Sequence, residues 1–447
     1  MFIIRKIKLS YTQIIALGTF ALILTGGILL SLPIASKSKE ATPFINALFT
    51  ATSATCVTGL VIYDTYTHWS VFGQLVILSL IQVGGIGFMT VITLFSMFLK
   101  RKIGLRERRL LMESANTMRI GGIVLLVKRI LIGTFIFESL GAALLTVRFY
   151  PEMGIRQGLY NGIFHSVSAF CNAGFDLMGK YGSFSSLTRY SNDIIVNLTI
   201  MSLIVIGGIG FVVWEDIQKN LLSFKKYRVH TKIVLSTTAL LIFSGAVIFF
   251  ITERNGNFSG MSLRESILAS LFQSITPRTA GFNTISMTKL SEGGSLLTIL
   301  LMIIGGSPGS TAGGIKTTTL VVLILGAISS SKGTSELSVF KRRLEDNALK
   351  RASSIAIIYI CTTLLATMLI CSTQSFSLKE TLFEVYSAAG TVGLSMGITP
   401  NLNNLSKILI IILMYGGKVG SLSMALVLAE RKEIVPISRP VEKIIIG

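Results

Sequence analysis

Charge is scarce in this chain. Asp, Glu, Lys and Arg make up 14% of its 447 residues, against 51% hydrophobic ones. Ordinary globular domains carry about 25% charged residues, so two or three soluble domains are excluded. Histidine is rarer still: His68, His165 and His230 are scattered. With no paired carboxylates and no nucleophile set beside a base, the sequence does not read as a membrane enzyme. Four cysteines do not make a disulfide framework. Cys361 and Cys371 fall in one apolar run, where a buried thiol behaves as a small hydrophobe. Cys56 and Cys171 each stand three residues before a glycine, without the His or carboxylate companions of a metal site. They are expected to pack beside whatever that glycine builds.

What is present is a succession of apolar runs near the roughly 20 residues that cross a bilayer. Arg5, Lys6 and Lys8 precede the first, and no small-residue cleavage site follows, so it reads as a retained span. A net charge of +20 would suit a nucleic-acid partner, but its distribution points elsewhere. Of 41 Lys and Arg, 27 fall in the N-terminus, three inter-repeat loops and the C-terminus, and 12 in the opposite loops; Lys316 and Lys418 lie inside spans. Such an excess marks the cytoplasmic side. Both termini are expected there, in a multi-pass protein of the cell membrane with a lipid environment and no nucleic acid.

The runs are organised as a repeat. Span Tyr11–Leu32 is followed by a short helix, Phe44–Thr52, too short to cross. A long span, about Trp69–Leu99, then carries Gly84-Gly85-Ile86-Gly87. The same order returns as Ile130–Phe149, Leu159–Ala169 and Asp193–Trp214 with Gly207-Gly208-Ile209-Gly210. It returns again as Ile233–Thr252, Arg264–Ile275 and a span from Leu296. The last copy is Ser354–Cys371, Leu378–Ala388 and Ile408–Leu428 with Gly416-Gly417-Lys418-Val419-Gly420. Four copies predict units at 1–119, 120–228, 229–345 and 346–447. The expected fold is an all-α integral membrane protein: four span–re-entrant loop–span repeats, eight transmembrane helices, around a pseudo-four-fold pore. The Gly-Gly pairs lack the strand and the third glycine of a dinucleotide fingerprint; close helix packing or a bend is expected of them.

Between each short helix and the next span lies a related loop: Val57-Thr58-Gly59, Asn172-Ala173-Gly174, Thr279-Ala280-Gly281 and Thr391-Val392-Gly393. A Phe (Phe49, Phe164, Phe272, Phe383) precedes the Gly by ten residues in three copies and nine in the third. A re-entrant loop is tolerated only where protein or water covers its backbone. Thr-Val-Gly is the core of potassium-channel filters, where carbonyls replace the ion's water shell, and Gly admits the positive φ that turns them inward. These twelve residues are the expected filter, with K+ as its ion. One Gly per loop, Ser395 standing where a second would be, predicts fewer sites than a full filter. Arg278, at a loop entrance, is expected to tie the loop to neighbouring protein.

The third long span is interrupted by Gly305-Gly306-Ser307-Pro308-Gly309-Ser310-Thr311-Ala312-Gly313-Gly314-Ile315-Lys316-Thr317. Five Gly and a Pro cannot hold a regular helix, and broken backbone at membrane depth must be buried or line a cavity. Ser307 follows Gly281 by 26 residues and Lys418 follows Gly393 by 25, so the two share a depth below the filter. The expectation is a gate at 305–317, formed by Gly305, Gly306, Ser307, Pro308, Gly309, Ser310, Thr311, Gly313, Gly314 and Lys316. Lys418 faces the cavity, sets a barrier or pairs with the gate's carbonyls. Lys316 is expected to snorkel, and Glu138 to make a structural hydrogen bond.

Four span–loop–span units, one Gly per filter and a Gly-rich break in the third unit resemble the superfamily of potassium transporters that contains KtrB, TrkH and plant HKT proteins. Length and short loops are most similar to the KtrB type. The resemblance covers essentially the whole chain. It implies gated potassium uptake through Gly59, Gly174, Gly281 and Gly393, with residues 305–317 as gate. It further implies a homodimer resting on a cytoplasmic ring of separate RCK subunits, KtrA-like, which would bind ATP or ADP while this chain binds no cofactor. Lys418 stands where the family usually carries Arg, keeping charge but losing a planar, bidentate donor. The alternative is a sodium-coupled or sodium-permeable cation symporter; a symporter would typically show inverted repeats, whereas these four units share one orientation.

Overall fold

The computed structural model describes residues 10–99, 104–114, 122–221, 223–333, 336–420 and 442. Among the described residues, four helices are each long and apolar enough to cross a membrane: Tyr11–Ser31, Ile123–Phe170, Val229–Thr252 and Ala348–Thr373. Each buries only a minority of its apolar window inside the fold, which leaves the rest of its surface for lipid. The second of them is two helices read as one. Gly154 (φ 76°, ψ 170°) breaks it into a span and a short inner helix, giving this unit the same order as the others.

Each long helix is followed by a short buried one: Phe44–Thr55, the part of Ile123–Phe170 beyond Gly154, Leu263–Ile275 and Leu378–Gly390. Phe49, Phe164, Phe272 and Phe383 are all fully buried and anchor these pore helices in the core. The helix that follows the loop is capped in every unit by a side chain accepting the N–H three residues on. Ser70 accepts from Gly73, Asp193 from Val196, Ser291 from Gly294 and Asn403 from Ser406. Such caps satisfy an otherwise orphaned donor and fix where each helix starts.

The second spans are not continuous, contrary to the expectation for Trp69–Leu99 and Asp193–Trp214. Val71–Ile86 and Phe88–Leu94 meet at 96°, as do Ile194–Gly208 and Phe211–Asn220. The reason lies in the last glycine of each Gly-Gly-Ile-Gly. Gly87, Gly210 and, in the fourth unit, Gly420 share φ between 95° and 97°, a conformation that ends a helix and that side chains resist. The preceding pair performs the close packing. A Cβ on Gly84, Gly207 or Gly417 would collide with the carbonyl of Thr55, Phe170 or Ala389, at or beside the end of the pore helix.

Two further differences stand out. A small hairpin pairs Ser338–Val339 with Arg342–Arg343, an element the helical reading did not contain. Cys361 is exposed and Cys371 half-exposed, so these thiols face outward from the fold rather than filling its core. Arg5, Lys6, Lys8, Lys100, Arg101 and Lys102 and residues 421–441 and 443–447, on which the assignment of both termini drew, lie outside the described residues, as does the end of the expected span Ile408–Leu428.

Candidate ion pathway

In or just after its last turn, each pore helix carries a hydroxyl residue that organises the loop after it. The amides of Thr58, Ala173, Ala280 and Val392 donate to the carbonyls of Ser53, Ser168, Thr276 and Ser387, at 2.7–2.9 Å. The hydroxyls add a second tie. Ser53 and Ser387 each accept the N–H of the loop glycine, Gly59 or Gly393, at 3.0 Å. Ser168 and Thr276 instead donate to the carbonyl just after it, Phe175 at 2.7 Å and Phe282 at 2.5 Å. These four residues were missed from the sequence. The signal was there: a Ser or Thr stands six residues before Gly in three loops and five in the third.

The loops share one backbone path. Two residues before each glycine the chain is left-handed: Val57 (φ 57°), Asn172 (59°), Thr279 (73°) and Thr391 (53°). The glycines follow at positive φ, 98°, 70°, 82° and 92°. Non-glycine residues at such φ are uncommon, and the hydrogen bonds to Ser53, Ser168, Thr276 and Ser387 hold them there. Among the described residues, the carbonyls of Thr58, Ala173, Ala280 and Val392 accept no hydrogen bond from the protein.

The four loops close a ring in sequence order. A Cβ placed on Gly59 would stand 2.5 Å from the carbonyl oxygen of Ala173, one on Gly174 2.7 Å from that of Ala280, and one on Gly281 2.6 Å from that of Val392. One on Gly393 would strike the carbonyl of Thr58, returning to the first unit. Glycine is thus required twice over, by φ and by the neighbouring carbonyl. The ring has unpaired carbonyls, no carboxylate and no side chain at its narrowest point. A cavity of about 460 Å³ opens on one side, lined by all four glycines with Asp64, Asp176, Asn283, Ser395 and Thr399.

On the other side lies the interrupted span. The helix Glu292–Ile303 stops, and the next begins at Thr317, so the irregular segment starts one residue earlier than expected. Its ends are pinned together: the Gly305 amide donates to Ile315 (2.8 Å) and the Thr317 amide to Gly306 (3.2 Å). Its tip reaches the bend of the second unit, where helix termination leaves carbonyls free. Ser307 N–H donates to Gly208 (2.9 Å) and Thr311 N–H to Gly207 (3.4 Å), while Phe211 N–H donates to Gly309 (2.8 Å). The Thr311 hydroxyl donates to Phe170 at 3.3 Å, beside Asn172. Gly210 packs on the Pro308 carbonyl and Gly313 against the Thr391 side chain, while Gly314 lies by the Gly390 carbonyl. The segment therefore runs beneath the ring, from the second loop to the fourth.

Two ammonium groups serve this segment. Lys418 donates to the Thr311 carbonyl at 2.9 Å, one of the arrangements anticipated for it. Lys316 does not snorkel. It donates to Ala312 (2.7 Å) and Gly313 (3.3 Å), because the irregular turn presents carbonyls within its reach. Both line a second cavity, about 390 Å³, with Thr55, Gly84, Gly85, Gly309, Ser310 and Gly314. Ser310 donates to Ser307 (2.7 Å), and the Ser307 and Thr317 hydroxyls pair at 3.0 Å. Gly306 packs tightly on Ala312.

The side chains behind the ring are structural. Arg278 is buried and donates to Thr238 at 3.4 Å, away from the ring. Glu138 accepts from Gln82 of the first unit at 3.0 Å, the hydrogen bond expected of it but with a partner no local pattern betrays. The Cys171 thiol lies against the same pair, and Cys56 is buried. Asn172 bridges units: its amide lies 3.3 Å from the Thr279 hydroxyl and 3.4 Å from that of Thr311. The reversed amide orientation satisfies both ends better, giving its nitrogen the Ala169, Phe170 and Ile204 carbonyls and its oxygen the Thr279 hydroxyl.

A sequence profile of the family described as TrkH, cation transport protein, matches residues 10–435. The chain belongs to this family. Among its relatives, the potassium/sodium uptake protein NtpJ of Enterococcus hirae is 42% identical over 99% of this chain and 98% of its own. The Ktr system potassium uptake protein B of Bacillus subtilis is 39% identical over 96% of each, and that of Vibrio alginolyticus 35% over 99% and 96%. The crystal structure of the potassium transporter TrkH from Vibrio parahaemolyticus matches with a TM-score of 0.74, covering 95% of this chain and 86% of that one at 17% identity; it shares the fold. The TrkH-family resemblance and the all-α membrane fold read from the sequence are borne out. The protein is a multi-pass membrane cation transporter and not an enzyme.

Proposed function

We propose that this TrkH-family chain takes up potassium through the ring at Gly59, Gly174, Gly281 and Gly393, with the segment from Gly305 to Lys316 as its gate. The observation that carries this reading is the closed ring of four loops, each with an unpaired carbonyl beside a positive-φ glycine. A dehydrated monovalent cation needs neutral oxygens at several points around it, and preorganised carbonyls supply them without the binding strength of carboxylates. Val57, Thr58, Asn172, Ala173, Thr279, Ala280, Thr391 and Val392 complete the ion path, and Lys418 holds the gate shut by its tie to Thr311.

The remaining assignments follow from the same reading. The chain falls into four units, 1–119, 120–228, 229–345 and 346–447. Both termini face the cytoplasm, as the concentration of Lys and Arg favours. The working assembly is a homodimer on a separate nucleotide-binding RCK ring that moves the gate, an inference the Ktr names of the relatives support, since a system implies a second component. With one glycine per loop, sodium permeates as a competitor; the potassium/sodium name of one relative supports this.

The test is potassium-limited growth and uptake in cells lacking their own potassium importers, comparing the natural chain with Gly281→Ser. The expected result is uptake that weakens in the variant while sodium entry rises. Uptake indifferent to substitution at Gly59, Gly281 and Gly393 would overturn the filter. Uptake that appears only with an added RCK ring identifies the regulator's role.

A further inference from the structure

The residue after each pore-helix Phe is polar and buried in every unit: Thr50, His165, Gln273 and Glu384, none more than 1% exposed. In the second and fourth units it reaches past the glycine to the limb of chain that leaves the ring. His165 accepts the Leu177 N–H at 3.3 Å. Glu384 accepts from Ser395 at 2.8 Å and, through its other oxygen, from Thr399. Ser395 itself accepts the Gly397 N–H at 2.9 Å, which directs its own proton at the carboxylate. Ser395 and Thr399 line the outer cavity together with Gly393. The Glu384 carboxylate therefore stands one hydroxyl behind the wall of the ion's entrance.

Among the described residues no Lys or Arg pairs with it. A buried carboxylate served by hydroxyls alone is poorly compensated. The cavity on the far side of those hydroxyls, which a transported cation would enter, can supply the counter-charge. We propose that Glu384 is a positioning residue that braces the limb from Leu394 to Thr399 and, as a carboxylate, supplies the negative charge that concentrates potassium at the outer face of the ring. The corresponding positions of the other units, Thr50, His165 and Gln273, carry no acid, so among the four pore helices this contribution is the fourth unit's, added to that of Asp64 and Asp176, which line the same cavity. The inference rests on the ring being the ion filter.

Three variants test it by potassium uptake over a range of external concentrations, with membrane abundance measured for each. Glu384→Gln keeps the size and an acceptor oxygen but removes the charge. It is expected to raise the potassium concentration for half-maximal uptake by on the order of three- to tenfold, the effect of one unit charge at short range, with the maximal rate and the sodium-to-potassium ratio little changed. Glu384→Asp, which keeps the charge on a shorter arm, is expected to stay within about twofold of the natural chain. Half-saturation unchanged in Glu384→Gln, or equally impaired in both variants at normal abundance, overturns the role of charge. If Glu384→Gln does not reach the membrane, Glu384→Asp decides alone, half-saturation beyond that range overturning the proposal. Gly281→Ser serves as the control. If it alters selectivity while the Glu384 variants do nothing, this inference fails and the filter stands; if it too does nothing, the filter reading fails.

Discussion

The ammonium of Lys418, in the last helix of the fourth unit, donates to the carbonyl of Thr311, in the irregular segment of the third, at 2.9 Å. A hydrogen bond from a charged donor is worth about 1.5–3 kcal/mol, and this one joins two consecutive units across 107 residues of sequence. Lys418→Gln should therefore raise potassium flux through the unregulated protein, by roughly ten- to a hundredfold if the bond alone sets the closed population. Lys418→Arg should keep the flux low, since guanidinium retains both charge and donors. Flux into proteoliposomes measures both, and equal flux in all three proteins would remove Lys418 from the gate.

Substitution at the four ring glycines should be graded by what the new side chain meets. At Gly393 it meets the Thr58 carbonyl at closer range than its counterpart at Gly174 meets that of Ala280. Gly393→Ala is expected to lose selective potassium uptake more completely than Gly174→Ala. Competition between sodium and potassium in the same uptake assay gives the order. Tolerance of Gly393→Ala would mean that the ring is not the narrowest point.

Asn172 touches both the proposed filter loop of the third unit and the proposed gate segment. Asn172→Gly preserves the left-handed backbone and deletes only the amide; Thr311→Val deletes the hydroxyl facing it. If the two groups act together, the double variant should leak no more than the worse single one, a coupling of about 0.5–3 kcal/mol in the cycle. Strictly additive leaks would show that Asn172 serves only its own loop.

His68, at the end of the short helix Thr65–His68, stacks on Tyr63 at 4.0 Å and shares a hydrogen bond with Thr42. Desolvation lowers its pKa from the ordinary 6.5. The folded state thus binds fewer protons than the unfolded one, and stability rises with pH through the window ending near 6.5 and is lost below it. Acidification from pH 7 toward 5 should lower the melting temperature of the detergent-solubilised protein, and His68→Asn should flatten that dependence. An unchanged slope would place the acid sensitivity elsewhere.

Much of this arrangement was legible because glycine and proline are read by what they permit. Gly59, Gly174, Gly281 and Gly393 were found at fixed distances from a buried Phe, and the structure brings all four together. The break at Gly305–Thr317 was equally visible, since no helix tolerates that composition. The 96° bends were not: Gly-Gly-Ile-Gly looks the same whether it packs or turns, and only the common φ of Gly87 and Gly210 decides. Lys316 was misread because sequence gives its depth but not the carbonyls that the turn offers it. Ser53, Ser168, Thr276 and Ser387 were overlooked because hydroxyl residues are common in such helices. The partner of Glu138 could not be found locally, because Gln82 lies in another unit.

The irregular segment belongs to one unit, and its described partners lie in the second and fourth. The four-fold order of the ring therefore ends immediately beneath it. A pore closed by four converging helices has to splay them all, and such a motion would strain the ring they carry. A plug hung from a single arm can swing aside while the scaffold above stays rigid. On the proposed gating, opening means breaking the hydrogen bonds around Thr311, and one lever on one arm is enough to do it.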